Sequence, residues 1–260
     1  MREEALQAAA DALFTAEHEA RSIEPLTATW PDIEVADAYE IQLRNIHRQL
    51  DTGAIIKGHK VGLTARPMQE LLGVNEPDYG HLLDHMVVAD GTGLAMNRLC
   101  SPKVEIEIAF VLGAALKGPG CTLADVLRAT EFVMPSIEVV DSRVRDWKIT
   151  LIDTIADNAS SAGVVLGGHA VSPTEIDMVT LGAVLSKNGQ VVETGAGAAV
   201  LGHPGNAVAW LANKLADFGA HIKAGQIVLP GSCVRAIDAV AGDSFRADFS
   251  ELGSVSVSFV

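Results

Sequence analysis

The sequence has few cysteines and no cluster of basic residues, and each shortage excludes a class of protein. Its 3 cysteines, Cys100, Cys121 and Cys233, are widely spaced and form no CxxC pair. This spacing predicts reduced thiols and argues against a disulfide framework or a zinc cluster. The formal net charge of −14, without a patch of lysine and arginine, argues against nucleic acid as a partner.

Long apolar runs are also missing. No stretch approaches the roughly 18 residues that a membrane helix needs, and the start, MREEALQAAADALF, lacks the basic region and apolar block of a signal peptide. We therefore expect no membrane association and a cytoplasmic location. The composition, 48% hydrophobic and 20% charged, predicts a globular protein with a sizeable core. Because the net charge repels a small acid, binding one requires a metal ion or a well-placed lysine or arginine.

The pattern of apolar residues and glycines changes near residue 54. Residues 1–53 carry apolar side chains at helical spacing in two stretches, joined by a connector that contains Pro25 and Pro31. Residues 54–260 consist mainly of short β-rich runs separated by glycine. We predict a helical N-terminal segment over 1–53 and a mixed-sheet catalytic domain over 54–260.

Turn and capping signals refine this prediction. Asn188-Gly189 lies between two alternating runs and indicates a hairpin. Two helices are predicted among the strands: one begins with a capping box at Thr122, and the other follows Pro204. Strands outnumber helices and do not alternate with them regularly, which predicts an α+β fold with a mixed or mostly antiparallel sheet.

The stretch PKVEIEIAF, residues 102–110, places two carboxylates on a strand face that then turns apolar. In an extended strand Glu105 and Glu107 share a face with Ala109. Their Cα atoms are roughly 6.6 to 6.8 Å apart, so both side chains can reach one cation. Glu138, in PSIEVVD, is a single acid among apolar residues, and a neighbouring strand could carry it to the same place. Three such acids without a cation would repel one another, whereas a divalent ion removes that cost.

A site of this kind would be open to substrate. Oxygen ligands favour Mg²⁺, Mn²⁺ or Ca²⁺ over zinc, and three protein oxygens on an ion with about six positions leave about three for water or substrate. This predicts a catalytic metal site. The alternative is a solvated strand face, which is where glutamate in a strand usually lies.

Several motifs together resemble one known family. KGHKVGLT, EPDYGHLLD, PKVEIEIAF, PSIEVVDSRVRDW, DTIADNAS and LGHPGNAVAWLANKLADFG follow one another over nearly the whole chain. In this order they resemble the 2-hydroxypenta-2,4-dienoate (2-keto-4-pentenoate) hydratases of the fumarylacetoacetate hydrolase superfamily. The resemblance implies a β-roll or barrel-like mixed sheet, with helices packed outside and a helical N-terminal segment. It also implies a homo-oligomer and raises association with neighbouring pathway enzymes as a further prediction.

The resemblance assigns site residues as well. It implies a divalent ion, Mg²⁺ or Mn²⁺, on three acids, which here are Glu105, Glu107 and Glu138. It places three further residues in the active site: Lys60, Asp78 and Ser160.

The predicted function is a metal-dependent hydratase that acts on a small 2-hydroxy-dienoate or 2-oxo acid. It would add water to 2-hydroxypenta-2,4-dienoate, or a close relative, to give 4-hydroxy-2-oxopentanoate in the meta-cleavage of aromatic or steroid rings. A 2-oxo acid can chelate the ion, which then acts as a Lewis acid. Lys60 would donate or relay a proton, while Asp78 would hold Lys60 or act as a base.

Alternatives remain at the level of function and of single residues. A 4-oxalocrotonate (2-oxo-3-hexenedioate) decarboxylase uses the same scaffold, although VLPGSCVRA favours the hydratase; a C–C bond hydrolase ranks third. A non-catalytic partner subunit would have solvated, metal-free acids. Asp78 could instead form a turn after Pro77, and Ser160 could satisfy backbone donors in a turn. Cys233 has no sequence feature that pairs it with a base, so a buried thiol is predicted.

Overall fold

The computed structural model describes residues 2–66, 69–70 and 73–260. Within these ranges the helices are α1 (Glu3–Glu19), α2 (Leu26–Thr29), α3 (Val35–Asp51), α4 (Leu123–Ala129), α5 (Leu151–Ala156) and α6 (Pro204–Ala216). The strands are β1 (Ile56–Gly62), β2 (Asp78–Leu83), β3 (Val87–Ala89), β4 (Gly93–Leu94), β5 (Pro102–Leu112), β6 (Thr130–Asp141), β7 (Ser161–Leu166), β8 (Gly182–Lys187), β9 (Gln190–Ala196), β10 (Ile227–Leu229), β11 (Ile237–Asp238), β12 (Ser244–Phe249) and β13 (Gly253–Phe259).

The strands form two sheets. The first has eight strands in the order β2-β1-β10-β5-β6-β7-β3, with β11 paired to β5, and it curls into a half-barrel. The second has five strands in the order β4-β13-β12-β8-β9. Pairing is parallel for β1 with β10, β3 with β7 and β4 with β13, and antiparallel elsewhere in the described strands. The prediction of an α+β fold with a barrel-like mixed sheet is confirmed.

The curled sheet buries side chains on both of its faces. On one face Val104, Ile106 and Phe110 of β5 belong to the main hydrophobic core, shared with the helices and the second sheet. On the other face, Ala109 lies in a separate, smaller apolar cluster with members from β2, β7 and β10. This second cluster explains why the acid-bearing face of β5 turns apolar, because that face lines the inside of the half-barrel.

Two local predictions are confirmed. Thr122 is the N-cap of α4, and its side chain and that of Asp125 satisfy each other's backbone N–H groups. Asn188-Gly189, with φ of 52° and 77°, turns the chain between β8 and β9.

Both helices predicted among the strands are present, as α4 and α6, but the prediction is incomplete. The described part of this region contains a third, α5, which begins after the N-cap residue Thr150. Its six residues are too few to show helical periodicity. The sequence feature that could have indicated this helix is a second capping box, formed by Thr150 and Asp153. The N-terminal connector likewise contains the short α2.

The N-terminal helices pack against the sheet region through buried polar contacts. Gln42 of α3 is 1% exposed, and its Nε2 donates to the carbonyl oxygens of Tyr79, at 3.0 Å, and Ile155, at 2.8 Å. The division at residues 53 and 54 stays a prediction. None of the helices in the described ranges has the length and apolar character needed to cross a membrane.

Candidate active site

Three acids meet on the inner face of the half-barrel. Glu105 of β5 is paired directly with Glu138 of the antiparallel β6, and Glu107 follows two residues along β5. One carboxylate oxygen from each of the three lies within 4.8 Å of the others. Glu107 and Glu138 have no exposed surface, and Glu105 is half-buried. The pairing register therefore supplies what spacing along one strand cannot, a third acid from a neighbouring strand.

Most oxygens of the two deeper acids have no hydrogen-bond partner. Glu107 Oε2 accepts a bond from the backbone N–H of Gly231 at 2.7 Å, but Glu107 Oε1 and both oxygens of Glu138 accept no hydrogen bond from any described residue. Glu138 Oε1 has only the ion pair with Lys60 Nζ, at 3.4 Å. Unsatisfied buried carboxylate oxygens are costly unless a cation binds them. Their convergence with Glu105 fits a hard divalent cation such as Mg²⁺ or Mn²⁺.

The acids also raise one another's pKa. Burial, followed by the charges of Glu138 and Glu105, raises the pKa of Glu107 well above its usual value. Burial raises the pKa of Glu138 to about 7. Without a cation these groups resist ionisation, which is the expected behaviour of a site built for a positive ion.

Lys60 lies beside the acids on the inner face of β1. Its side chain is 5% exposed, its Nζ lies 3.4 Å from Glu138 Oε1, and it donates a hydrogen bond to the carbonyl oxygen of Ala159 at 2.9 Å. Burial opposes its charge, but the surrounding carboxylates outweigh burial and raise its pKa above the usual range. Lys60 is thus a buried ammonium group and not a solvated surface lysine.

Asp78 opens β2 opposite Gly62 of β1. Its Oδ2 accepts a hydrogen bond from Thr154 Oγ1 at 3.3 Å, whereas Oδ1 has no partner within the part of the chain that the structure describes. A Cβ at Gly62 would lie 2.2 Å from Asp78 Oδ1 and 3.5 Å from Lys60 Nζ, so a larger residue there would force the Asp78 carboxylate to move. Burial raises the pKa of Asp78. The carboxyl group is a buried part of this face rather than a former of an exposed turn.

Ser160 ends an unusual backbone segment. Asn158, Ala159 and Ser160 have φ of 53°, 50° and 54°, a left-handed conformation that costs about 1–2 kcal/mol per residue for side chains other than glycine. The hydroxyl of Ser160 is buried and, among the described residues, forms no hydrogen bond. It therefore does not satisfy backbone donors. The carbonyl oxygen of the preceding residue, Ala159, accepts the hydrogen bond from Lys60 Nζ.

Sequence reasoning missed several groups that position these side chains. Thr154 bonds to Asp78, the Gly231 N–H bonds to Glu107, and the Ala159 carbonyl bonds to Lys60. Two of the three are backbone groups. Because almost every residue carries such groups, the sequence does not indicate which of them will contact the site. Thr154 belongs to α5, which was itself not predicted.

Cys233 is a buried thiol, as predicted. Burial, followed by the charge of Glu107, raises its pKa to about 12, so the thiol stays protonated. This state does not suit a nucleophile.

A family model described as Fumarylacetoacetate (FAA) hydrolase C-terminal matches residues 57–260. The chain belongs to this family. The 2-hydroxypent-2,4-dienoate hydratase of Pseudomonas putida is 51% identical over 210 residues, which are 80% of this chain and 95% of that protein. The 2-oxo-hept-4-ene-1,7-dioate hydratase of Escherichia coli is 43% identical over 259 residues, 96% of each chain. The resemblance seen in the motifs is confirmed.

A solved structure extends the likeness to the whole fold. The 4-oxalocrotonate decarboxylase from Pseudomonas putida G7, complexed with magnesium and adipate, superposes with a TM-score of 0.97 at 42% identity. The alignment covers 100% of this chain and 99% of that one. A close structural relative in this family therefore binds a divalent cation, in agreement with the acid cluster found here.

Proposed function

We propose that the protein is a metal-dependent hydratase that adds water to 2-hydroxypenta-2,4-dienoate or a close 2-hydroxy-2,4-dienoate. The product is 4-hydroxy-2-oxopentanoate, formed in the meta-cleavage catabolism of aromatic or steroid rings. The observation that carries the proposal is the cluster of Glu105, Glu107 and Glu138 around unsatisfied carboxylate oxygens, with Lys60 beside it. The names of the hydratase relatives support the choice of reaction.

In this proposal the three acids hold Mg²⁺ or Mn²⁺. When bound, the ion supplies Lewis-acid stabilisation of negative charge on the oxygen at C2 and an anchor for the carboxylate of a 2-oxo acid. The buried ammonium of Lys60 offsets the charge of the substrate carboxylate and can donate a proton from Nζ.

The reaction needs protons to move from oxygen to carbon. The dienol loses its 2-hydroxyl proton and gains a proton at C5, which gives a conjugated ketone; hydroxide from water then adds at C4 and a proton adds at C3. The net change is one added water. In this proposal Asp78, whose Oδ1 has no partner among the described residues, accepts and returns a proton near Lys60. The apolar cluster on the same face, with Leu82 and Leu229, suits the hydrocarbon end of the substrate.

Assembly and location form part of the same proposal. We expect a homo-oligomer in the cytoplasm that associates with neighbouring pathway enzymes. All three cysteines, which lie in the described ranges, are free thiols, and this suits a reducing compartment. Analytical ultracentrifugation of the purified protein measures the number of subunits.

A decarboxylase is the second candidate, because the structural match to 4-oxalocrotonate decarboxylase spans the whole chain. Its substrate is a dicarboxylate, and the second carboxylate needs a further positive centre. Lys103, two residues before Glu105 on the same strand face, is already paired with Asp238 at 2.6 Å and packs over the ring of Trp147. This pairing favours a substrate with one carboxylate.

Comparing the two substrates on Mg²⁺-loaded protein tests the proposal. The dienol is followed by the loss of its ultraviolet absorbance and its product by NMR, and 2-oxo-3-hexenedioate is followed by CO₂ release. Hydration of the dienol without CO₂ release supports the hydratase. CO₂ release without hydration would reject it, and a protein that neither binds Mg²⁺ nor turns over either substrate would be the non-catalytic subunit.

A further inference from the structure

Arg143 forms a dense set of buried hydrogen bonds next to the candidate site. The residue is 4% exposed, and its Nε donates to the carboxylate of Asp157, whose other oxygen accepts from the Arg143 backbone N–H at 2.9 Å. One terminal nitrogen of the guanidinium donates to the carbonyl of Asp157, and the other donates to those of Asp141, at 2.7 Å, and Ser161, at 3.1 Å. The side chain thus binds the backbone at both ends of the segment 157–161.

The residues between these two ends form the left-handed segment. Asn158 has a second attachment, because its Oδ1 accepts from the His81 N–H at 2.7 Å and its Nδ2 donates to the His81 carbonyl at 2.9 Å. Gly80 allows this close approach, since a Cβ there would lie 2.3 Å from the Asn158 carbonyl oxygen. The next residue, Ala159, presents its carbonyl to Lys60. A backbone in this conformation persists only where its surroundings hold it.

We propose that Arg143 is a positioning residue for Lys60. By holding both ends of the segment 157–161, it fixes the Ala159 carbonyl that orients the Lys60 ammonium beside Glu138. A planar guanidinium with five donors can bind three carbonyls and a carboxylate at once, whereas an ammonium has only three donors. The effect on turnover rests on the proposed function, but the effect on the Lys60 ammonium does not.

A purely structural role would give a different pattern of effects. The acids lie on β5 and β6, whose pairing runs the length of both strands. Arg143 contacts this pair only at its end, through the carbonyl of Asp141, three residues beyond Glu138. Loosening the segment 157–161 should therefore leave the metal site intact and disturb Lys60 selectively. General loss of packing would weaken both together.

The test compares Arg143→Lys with wild type, using protein labelled with ¹⁵N at lysine Nζ. The Lys60 ammonium signal is assigned by its loss in Lys60→Met, and its hydrogen exchange is measured by NMR; Mg²⁺ affinity is measured by calorimetry. We expect exchange at Lys60 to speed up at least tenfold and kcat to fall at least tenfold, with the Mg²⁺ Kd within twofold of wild type. Unchanged Lys60 exchange, or a loss of Mg²⁺ affinity as large as the loss of kcat, would overturn the proposal.

Two further variants make the result decisive. Arg145→Lys is the control, because Arg145 is exposed and pairs with Glu24 at the surface, and it should match wild type in every measurement. Asp157→Asn removes the charged partner of Arg143 with little change of shape, and it should speed up exchange at Lys60 in the same way. It therefore serves as the test if Arg143→Lys folds poorly. If wild type hydrates no dienol while the exchange results are as expected, the proposed function fails and the positioning role stands.

Discussion

At the scale of single residues, the charge of Glu107 has opposite consequences in the absence and presence of a cation. Without one, the buried carboxylate lies beside two others, and its raised pKa shows that ionisation there is unfavourable. With one, the same carboxylate is a ligand, and the free energy of binding adds to the stability of the fold. A substitution that removes only the charge separates the two contributions.

Glu107→Gln should abolish most of the stabilisation by Mg²⁺ while leaving the metal-free protein as stable as wild type, or more so. At a Mg²⁺ concentration of about 100 times Kd, wild type should gain about 2.7 kcal/mol. Thermal unfolding with and without Mg²⁺, together with calorimetric titration, measures both effects. Glu131→Gln is the matched control, because Glu131 is exposed on β6. Equal Mg²⁺ affinity in Glu107→Gln and wild type would contradict the assignment of Glu107 as a ligand.

His81 provides a pH dependence that is separate from the acids. It faces His59 across β1 and β2, with ring centroids 5.0 Å apart, on the face opposite Lys60. Burial, followed by the charge of His47, lowers the pKa of His81 to about 4. Because its ordinary pKa is about 6.5, its contribution to stability is complete above pH 6.5 and is lost as the pH falls towards 4.

We therefore expect the free energy of unfolding of wild type, relative to that of His81→Phe, to fall by about 2 kcal/mol between pH 7.5 and pH 5. The raised pKa values of the acids act in the opposite direction, but they do so in both proteins. Urea denaturation at the two pH values measures it. His85→Phe, at an exposed position nearby, should leave the difference unchanged. If the free energy of unfolding changed between the two pH values as much in His81→Phe as in wild type, other groups would account for the change.

At the scale of elements, the sequence indicated those features that a local pattern encodes. Alternation in PKVEIEIAF predicted β5 and the shared face of Glu105 and Glu107, because side chains alternate along any strand. The meeting with Glu138 depends on the register between β5 and β6, which the hydratase-like motifs suggested but which no spacing within β5 reveals. The carbonyl of Ala159 and the N–H of Gly231 could not be predicted, because every residue carries such groups and only the fold selects among them.

The close packing of β1 on β2 gives a prediction at this scale. A Cβ on Gly62 would lie 2.2 Å from Asp78 Oδ1, so Gly62→Ala must displace that carboxylate from Lys60. We expect kcat for dienol hydration to fall at least tenfold, with Mg²⁺ affinity within twofold of wild type. Gly182→Ala is the control, because the nearest atom to its Cβ would be 4.0 Å away, an ordinary contact. Full activity in Gly62→Ala would argue against a role for Asp78.

At the scale of the whole molecule, one hydrophobic core joins the helices to both sheets. It contains Leu13 of α1, Ile41 of α3, Phe110 of the first sheet and Phe245 of the second, all nearly or completely buried. The N-terminal helices thus cover apolar surface that the sheets would otherwise expose to water. The division into a helical segment over residues 1–53 and a catalytic domain over 54–260 is a prediction from the sequence, and shared burial of this kind predicts that the two unfold together.

The three tryptophans make this prediction testable. Trp30 follows α2 in the N-terminal segment, whereas Trp147 and Trp210 belong to the remainder of the chain. Variants that keep only Trp30, or only Trp210, through replacement of the others by phenylalanine, report on each region by fluorescence during urea unfolding. For each variant, circular dichroism measures the urea midpoint for the loss of secondary structure. We expect the fluorescence midpoint of each variant to coincide with its own circular-dichroism midpoint. Unfolding of the Trp30 region at clearly lower urea would instead mean that the N-terminal helices dissociate first, and that the catalytic sheet keeps its structure without them.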